Sequence, residues 1–324
     1  MSVEVTVVVP MYNEERYIAS FIESLTKQTF PTEKMEWIFV DGDSTDGTVA
    51  VVKEYVKGGI YPITLLRNEK RKTPYALNLA IKQARGKYII RFDVHSYFYP
   101  DYIEKCVHYL NTTDADNVGG MAETEATTPI GKTIAEMLSS PFGVGNSNFR
   151  INHGDCYVDT VPFGAYRREI FEKVGLFNTE LPRSEDNDMN SRIRESGGKI
   201  WLAGDIRFKY YCRDTVKSVL LMALQNGNAL FFTVKQNPKA MRVRHFIPFC
   251  FLLSVLLLPP LAFCSEAFAL LFALEMIAYL SLDVFFSFAY GNKRRGLIKI
   301  WLYPMFHLTY GIGSLLGLLH KKLY

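Results

Sequence analysis

Five cysteines in 324 residues, at Cys106, Cys156, Cys212, Cys250 and Cys264, include no close pair and no spacing that would grip a metal. This argues against a disulfide scaffold or zinc module and fits a reducing, cytosolic compartment. No Gly-rich dinucleotide fingerprint follows the first apolar run, nor does a phosphate loop ending in Gly-Lys-Ser/Thr. Rossmann dehydrogenases and P-loop NTPases lose ground accordingly. Internal repeats and low-complexity tracts are absent. The opening VTVVV is too short for a signal peptide, lacks the preceding basic region, and reads as a strand. Charge is missing altogether from Phe246 to Cys264, 19 residues long.

That last absence points to what is present. Residues 1 to about 235 interleave charge with short apolar runs, whereas three apolar blocks dominate from 246 onward. Residues 246–264 and 267–290, the latter holding only Glu275 and Asp283, are each long enough for a hydrocarbon core of about 30 Å. The third block, 297–319, carries Lys299, Pro304 and His307, and reads as a crossing or a re-entrant segment. Lys235, Lys239, Arg242 and Arg244 precede the first block, and Lys293, Arg294 and Arg295 follow the second. By the positive-inside rule both flanks face the cytoplasm, so the first two blocks form a hairpin. A multi-pass protein of the cell membrane is expected, with its charge-interleaved amino-terminal part on the cytoplasmic side. The net charge of +4 needs no nucleic acid, since much of the surplus lies where anionic lipid attracts Lys and Arg. The expected divisions are 1–213, a juxtamembrane interfacial helix with its basic flank at 214–245, and a membrane part at 246–324.

The first 95 residues alternate strand and helix. VTVVV, EWIFVD, YPITLL and KYIIRFD read as strands, with helices between them at Asn13 onward, Thr48 to Val56 and Pro74 to Ala84. Asn13 is placed to cap the first helix, whose Ile18, Phe21, Ile22 and Leu25 recur at helical spacing. Such alternation predicts parallel βαβ units, an α/β fold whose ligands sit beyond the carboxyl ends of the strands. Those ends are polar: Pro10, Tyr12, Asn13 and Glu14; Asp41, Asp43 and Asp46; Asp93 and His95. Singly each has a bland reading, Asp46 as a turn residue among them. Asp93 and His95, two apart on a strand, would share one face and could hold a metal.

VVVPMYNEE, VDGDSTDGT, the Asp93 strand end and SEDNDMNSRI, in that order, resemble the motifs of inverting family 2 glycosyltransferases of the GT-A fold. SSPFGVGNSNFR and VDTVPFGAYRREIFEKVGLFN further resemble the membrane-attached glucosyltransferases of succinoglycan-type exopolysaccharide assembly. The resemblance implies a GT-A mixed sheet followed by transmembrane helices. It places Pro10, Tyr12, Asn13 and Glu14 around the nucleotide and Asp41 against uracil or ribose. Asp93 stands at the first acidic position of Asp-x-Asp, and His95 replaces the second. Neutral imidazole suits first-row metals better than magnesium, so Mn²⁺ is expected, with Mg²⁺ the alternative. Lys70, Arg71 and Lys72 either add positive charge at the departing diphosphate or sit in a solvated loop. The family's base falls on Asp186; without the upstream motifs Glu185, Asp186 and Asp188 would read as an acidic first turn favoured by the helix dipole.

The implied reaction moves one sugar from a nucleotide-sugar, by resemblance a UDP-sugar, to a polyprenyl-(di)phosphate-linked saccharide in surface or extracellular polysaccharide assembly. The stretch 214–234 reads as an interfacial helix, and its QNGNA lacks the Gln-x-x-Arg-Trp of processive synthases. A processive polysaccharide synthase, a sugar nucleotidyltransferase and a non-catalytic scaffold with a relic nucleotide pocket remain alternatives. Gly313 and Gly317 give a Gly-x-x-x-Gly spacing that leaves a homo-oligomer through membrane helices open.

Overall fold

The computed structural model describes residues 2–59, 61–145, 147–151, 154–181 and 183–323. The elements run β1 (Val5–Met11), α1 (Glu15–Leu25), β2 (Met35–Asp41), α2 (Thr48–Gly58), β3 (Ile63–Arg67), α3 (Thr73–Gln83), β4 (Tyr88–Arg91), β5 (Ser96–Phe98), α4 (Tyr102–Thr112) and β6 (Asn117–Glu125). They continue as α5 (Pro129–Leu138), α6 (Pro141–Val144), α7 (Asn148–Ile151), β7 (Cys156–Tyr157), β8 (Ala165–Arg167), α8 (Glu169–Val174), α9 (Glu185–Glu195), β9 (Ile200–Tyr211), α10 (Val216–Gln236), α11 (Ile247–Ala262), α12 (Glu266–Ala289) and α13 (Gly296–Leu318). Contacts divide the chain into two units. One comprises residues 1–123 and 152–210, the other 124–151 and 211–324.

The first unit is built on a mixed sheet of order β3-β2-β1-β4-β8-β6-β9-β5, with β7 paired to β9. β1 to β4 are parallel, and β8 joins β4 antiparallel. Strands covered on both faces read as continuous apolar runs rather than alternating ones. β2 follows that rule, every one of its residues being buried. Ile18, Phe21, Ile22 and Leu25 form the buried stripe of α1, as their spacing predicts.

Two local expectations are corrected. β4 ends at Arg91, so Asp93 and His95 lie in the turn before β5 and not on a strand. Their proximity is local, because Asp93 Oδ1 accepts the backbone N–H of His95 at 3.1 Å. Nor does Asn13 cap α1, whose N-cap residue is Glu14. Asn13 takes a left-handed backbone at φ 55°, and its Oδ1 accepts the Thr45 amide at 2.9 Å. It thereby ties the loop after β1 to the loop after β2.

The second unit is helical. α12 is long and apolar enough to cross a membrane, the one such helix among the described residues. α11 has 16 residues, about 24 Å at 1.5 Å per residue, and is shorter than the span predicted at 246–264. α13 is occupied within its own unit. Lys299 is fully buried, donating to Glu136 Oε2 at 3.1 Å, and His307 lies between the Tyr279 hydroxyl and the Phe142 carbonyl. Glu275 accepts from Ser254 at 2.6 Å, whereas Asp283 accepts from Ser287 of its own helix.

α10 packs along α13 backbone to backbone. A Cβ on Gly313 would stand 2.0 Å from the Leu224 carbonyl, one on Gly317 2.3 Å from that of Asn228, and one on Gly227 2.0 Å from that of Tyr310. Asn228 donates from Nδ2 to the Lys321 carbonyl at 2.8 Å and accepts from the Leu323 amide. QNGNA is thus the complementary face to Gly-x-x-x-Gly. The surface on which the oligomer expectation rested is covered by α10 of the same chain.

Candidate active site

Parallel pairing aligns the carboxyl ends of β1 and β2 at Met11 and Asp41, and this brings their polar loops together. Within the β2 loop Asp41 is buried. Its two oxygens accept from the Asp43 and Ser44 amides and the Ser44 hydroxyl. Asp46 accepts from the Glu15 and Thr48 amides, so it fastens the start of α1 to the start of α2. These carboxylates shape the loop, as turn-forming Asp does elsewhere. Asp43 reaches outward and holds Arg67 at 2.8 Å and Arg71 at 2.5 Å; both guanidinium groups hold its carboxyl below the usual range. Arg71 is therefore already paired. Lys72 is exposed at the start of α3 and its ammonium meets no carboxylate among the described residues. Pro10 is the penultimate residue of β1, and Tyr12 is exposed over Gly42.

Across β1 stands the turn after β4. His95 Nε2 lies 2.9 Å from Glu14 Oε1, and the Tyr17 ring meets the imidazole edge-on at 5.2 Å. Glu14 is buried, and its second oxygen, Oε2, has no hydrogen-bond partner. Asp93, His95 and Glu14 thus converge at one end of the parallel sheet.

The decisive grouping involves a residue that motif reading passed over. Arg91, the last residue of β4, is only 8% exposed in its side chain. Its Nη1 donates to Asp186 Oδ1 at 2.5 Å and to Glu185 Oε1 at 3.1 Å, both in the first turn of α9. One guanidinium therefore serves two carboxylates. Glu185 is buried and its pKa is pushed up to about 7, chiefly by desolvation and then by the charge of Asp186. Desolvation also raises Asp186; Arg91 opposes this by charge and hydrogen bond, while Asp93 adds to it. Asp186 keeps 26% of its side chain exposed, so its carboxylate is oriented from behind and open in front. Asp188 has a different duty: it pairs with Arg192 at 2.9 Å, which donates to the carbonyls of Val174 and Leu176 at the end of α8.

The model of Glycosyl transferase family 2 matches residues 6–175, more than half of the chain. The chain belongs to this family. Its fold is similar to that of known glycosyltransferases. A Methanococcus voltae protein named dolichyl N-acetyl-alpha-D-glucosaminyl phosphate 3-beta-D-2,3-diacetamido-2,3-dideoxy-beta-D-glucuronosyltransferase is 28% identical over 78% of this chain and 80% of its own length. Succinoglycan biosynthesis protein ExoA of Rhizobium meliloti is 28% identical over 64% of this chain and 63% of its own length. Among solved structures, the mannosyltransferase PcManGT of Pyrobaculum calidifontis, in complex with GDP-Man and Mn²⁺, aligns with a TM-score of 0.65. It is 20% identical and covers 99% of this chain and 88% of its own. At that identity the likeness establishes the GT-A fold alone.

The donors present fit a divalent cation in part. Among the described residues no group of three or more His, Cys, Asp or Glu side chains is arranged as a metal cage. Asp93 and the imidazole of His95 are a carboxylate and nitrogen pair suited to Mn²⁺. The unpartnered Glu14 Oε2 beside them is a buried acceptor without a donor. A cation there would require oxygens from a bound diphosphate to complete its shell.

Proposed function

We propose that this family 2 glycosyltransferase moves a single sugar, with inversion, from a nucleoside-diphospho-sugar to a lipid-linked saccharide. The observation that carries the reading is Asp186: an oriented, part-exposed carboxylate at the head of α9, held from behind by buried Arg91. In the reaction Asp186 accepts the proton of the acceptor hydroxyl. The hydroxyl oxygen forms its bond to the anomeric carbon as the bond from that carbon to the diphosphate breaks on the opposite face. Asp186 must be ionised to act, and Arg91 favours that form against the desolvation and Asp93 charge that oppose it. The loops of Pro10, Tyr12, Asn13, Glu14 and Asp41 surround the nucleotide, and exposed Lys72 adds positive charge at the diphosphate.

Asp93 and His95, with Glu14 beside them, would hold Mn²⁺, which neutralises charge on the departing diphosphate. The donor is read as a UDP-sugar by resemblance, although PcManGT was solved with GDP-Man. A polyprenyl-linked acceptor is favoured by the dolichyl phosphate named for the Methanococcus relative. Attachment at the cytoplasmic side of the cell membrane is favoured by α12 and its basic flank Lys293, Arg294 and Arg295. Single addition is favoured over polymerisation by the missing Gln-x-x-Arg-Trp.

Asp186→Asn tests the reading. Transfer should fall by about 10²- to 10⁴-fold, the range for a positioned general base, with nucleotide affinity nearly unchanged in a direct binding assay. Full transfer by that variant would sink the assignment. A chelator should stop transfer and Mn²⁺ should restore it better than Mg²⁺; indifference to chelation removes the cation from Asp93 and His95.

A further inference from the structure

The helical unit contains a cavity of about 420 Å³ that the proposed reaction does not use. Its wall includes Lys132 and Glu136 of α5, Ser139 just after it, and Tyr290, Gly291 and Arg295 from the segment that follows α12. Gly291 has φ 72°, and a Cβ there would stand 2.4 Å from the Glu136 carboxyl carbon. The turn is therefore packed directly on that carboxylate. Glu136 receives Arg295 Nη1 at 2.5 Å on Oε1 and Lys299 Nζ at 3.1 Å on Oε2, so both of its oxygens are engaged.

The cations around it are not saturated in return. Arg295 keeps Nε and Nη2 without partners among the described residues, and the exposed ammonium of Lys132 has none. Glu125 also lines the cavity. Against Glu125 and Glu136 stand Lys132, Arg295 and Lys299, which leaves one positive charge in excess. A guanidinium edge and an ammonium around a small space, with Ser139 and Tyr290 in its wall, form a donor set that suits a phosphate. The position narrows the source, because Tyr290 caps the helix apolar enough to cross a bilayer. A cavity at that helix end sits at the level of lipid headgroups.

We propose that this cavity binds the phosphate of a membrane lipid, through Lys132 and the free edge of Arg295. The proposal rests on the membrane placement of α12 proposed above and not on the assignment of Asp186. Two sources share the chemistry: an anionic phospholipid headgroup and the phosphate of a polyprenyl lipid.

Binding of short-chain phosphatidylglycerol and of a short-chain polyprenyl phosphate to the full-length protein in neutral detergent micelles separates them. Lys132 is exposed and unpaired, so Lys132→Glu leaves the fold intact, and Lys132→Arg keeps the charge. Lys132→Glu should weaken binding by about tenfold or more, the scale of a lost charge-assisted hydrogen bond, while Lys132→Arg binds as the parent does. Loss confined to the polyprenyl phosphate assigns the site to acceptor-type lipid; loss confined to phosphatidylglycerol assigns it to headgroups; loss of both assigns it to the shared phosphate. Parental binding of both lipids by Lys132→Glu overturns the proposal. Flotation with phosphatidylcholine vesicles reads the placement of α12 separately. A chain that fails to float yet loses lipid phosphate on Lys132→Glu refutes the membrane reading and leaves the phosphate site standing.

Discussion

Two buried ionic clusters in this chain have opposite composition. In the sheet unit one cation, Arg91, sits between two carboxylates, Glu185 and Asp186. In the helical unit one carboxylate, Glu136, sits between two cations, Arg295 and Lys299. Buried charges must be compensated, yet each cluster is left one charge short of neutrality. The surplus in the first is negative and belongs to a carboxylate open at its front, a group able to take a proton. The surplus in the second is positive, and of its two cations Arg295 lines a cavity. Under the two proposals above, the sign of the uncompensated charge separates a site for chemistry from a site for holding.

The comparison breaks first at Arg91. Arg91→Met leaves buried Glu185 and part-exposed Asp186 without a counter-charge, and a buried pair that loses one partner costs about 3–5 kcal/mol. Chemical denaturation should show that loss at neutral pH and a smaller one near pH 5. The sign follows from burial: the folded state of the variant favours protonated carboxyls, so it binds protons more readily than the unfolded chain and gains stability as pH falls. Kinetically, the acid limb of kcat/KM should move to higher pH, because Arg91 is what lowers Asp186. An unmoved limb would mean that Arg91 only supports the fold.

A smaller effect is expected at Glu136. Glu136→Gln removes the negative charge that both cations share and one of its two acceptor oxygens, but Lys299 still donates to the Tyr290 carbonyl, and Arg295 is 28% exposed and can turn to water. A loss of about 2–3 kcal/mol, the value of charged hydrogen bonds, is expected in denaturation. Binding of lipid phosphate should tighten, since the competing carboxylate charge is gone. Weaker binding would show that Glu136 positions Arg295 for the anion rather than competing with it.

The smallest effect probes the scaffold without touching either cluster. Gly313→Val places a Cβ against the Leu224 carbonyl and should cost about 1–3 kcal/mol through overpacking. Sugar-nucleotide hydrolysis by the sheet unit should stay near the parental rate at low temperature. Equal loss in hydrolysis and in stability would show that the two units unfold as one.

Much of this was legible in order and spacing. The βαβ alternation gave β1 to β4, since apolar runs of strand length separated by helical periodicity reflect strands covered on both faces. The acidic loops were visible because ligands in such sheets gather at strand ends. Other features had no local signal. Asn13 looked like a helix cap, but the cap rule is blind to Thr45 of the β2 loop, 32 residues on, which takes its side chain. Asp41 looked like a ligand-facing carboxylate, yet its oxygens are turned into its own loop. Arg91 was invisible as a functional residue because it lies in an apolar strand and its partners come 94 and 95 positions later.

By itself the sequence determined the elements that short-range physics controls: which runs form strands and helices, where polar loops interrupt them, and that the chain belongs with family 2 glycosyltransferases. Tertiary structure alone decided which charges meet. It put Arg91 beneath Asp186, closed α10 over Gly313 and Gly317, and buried Lys299 against Glu136. A charge has no periodicity that reveals its partner, and the Coulomb and desolvation energies that fix its role depend on distances set only when the chain has folded.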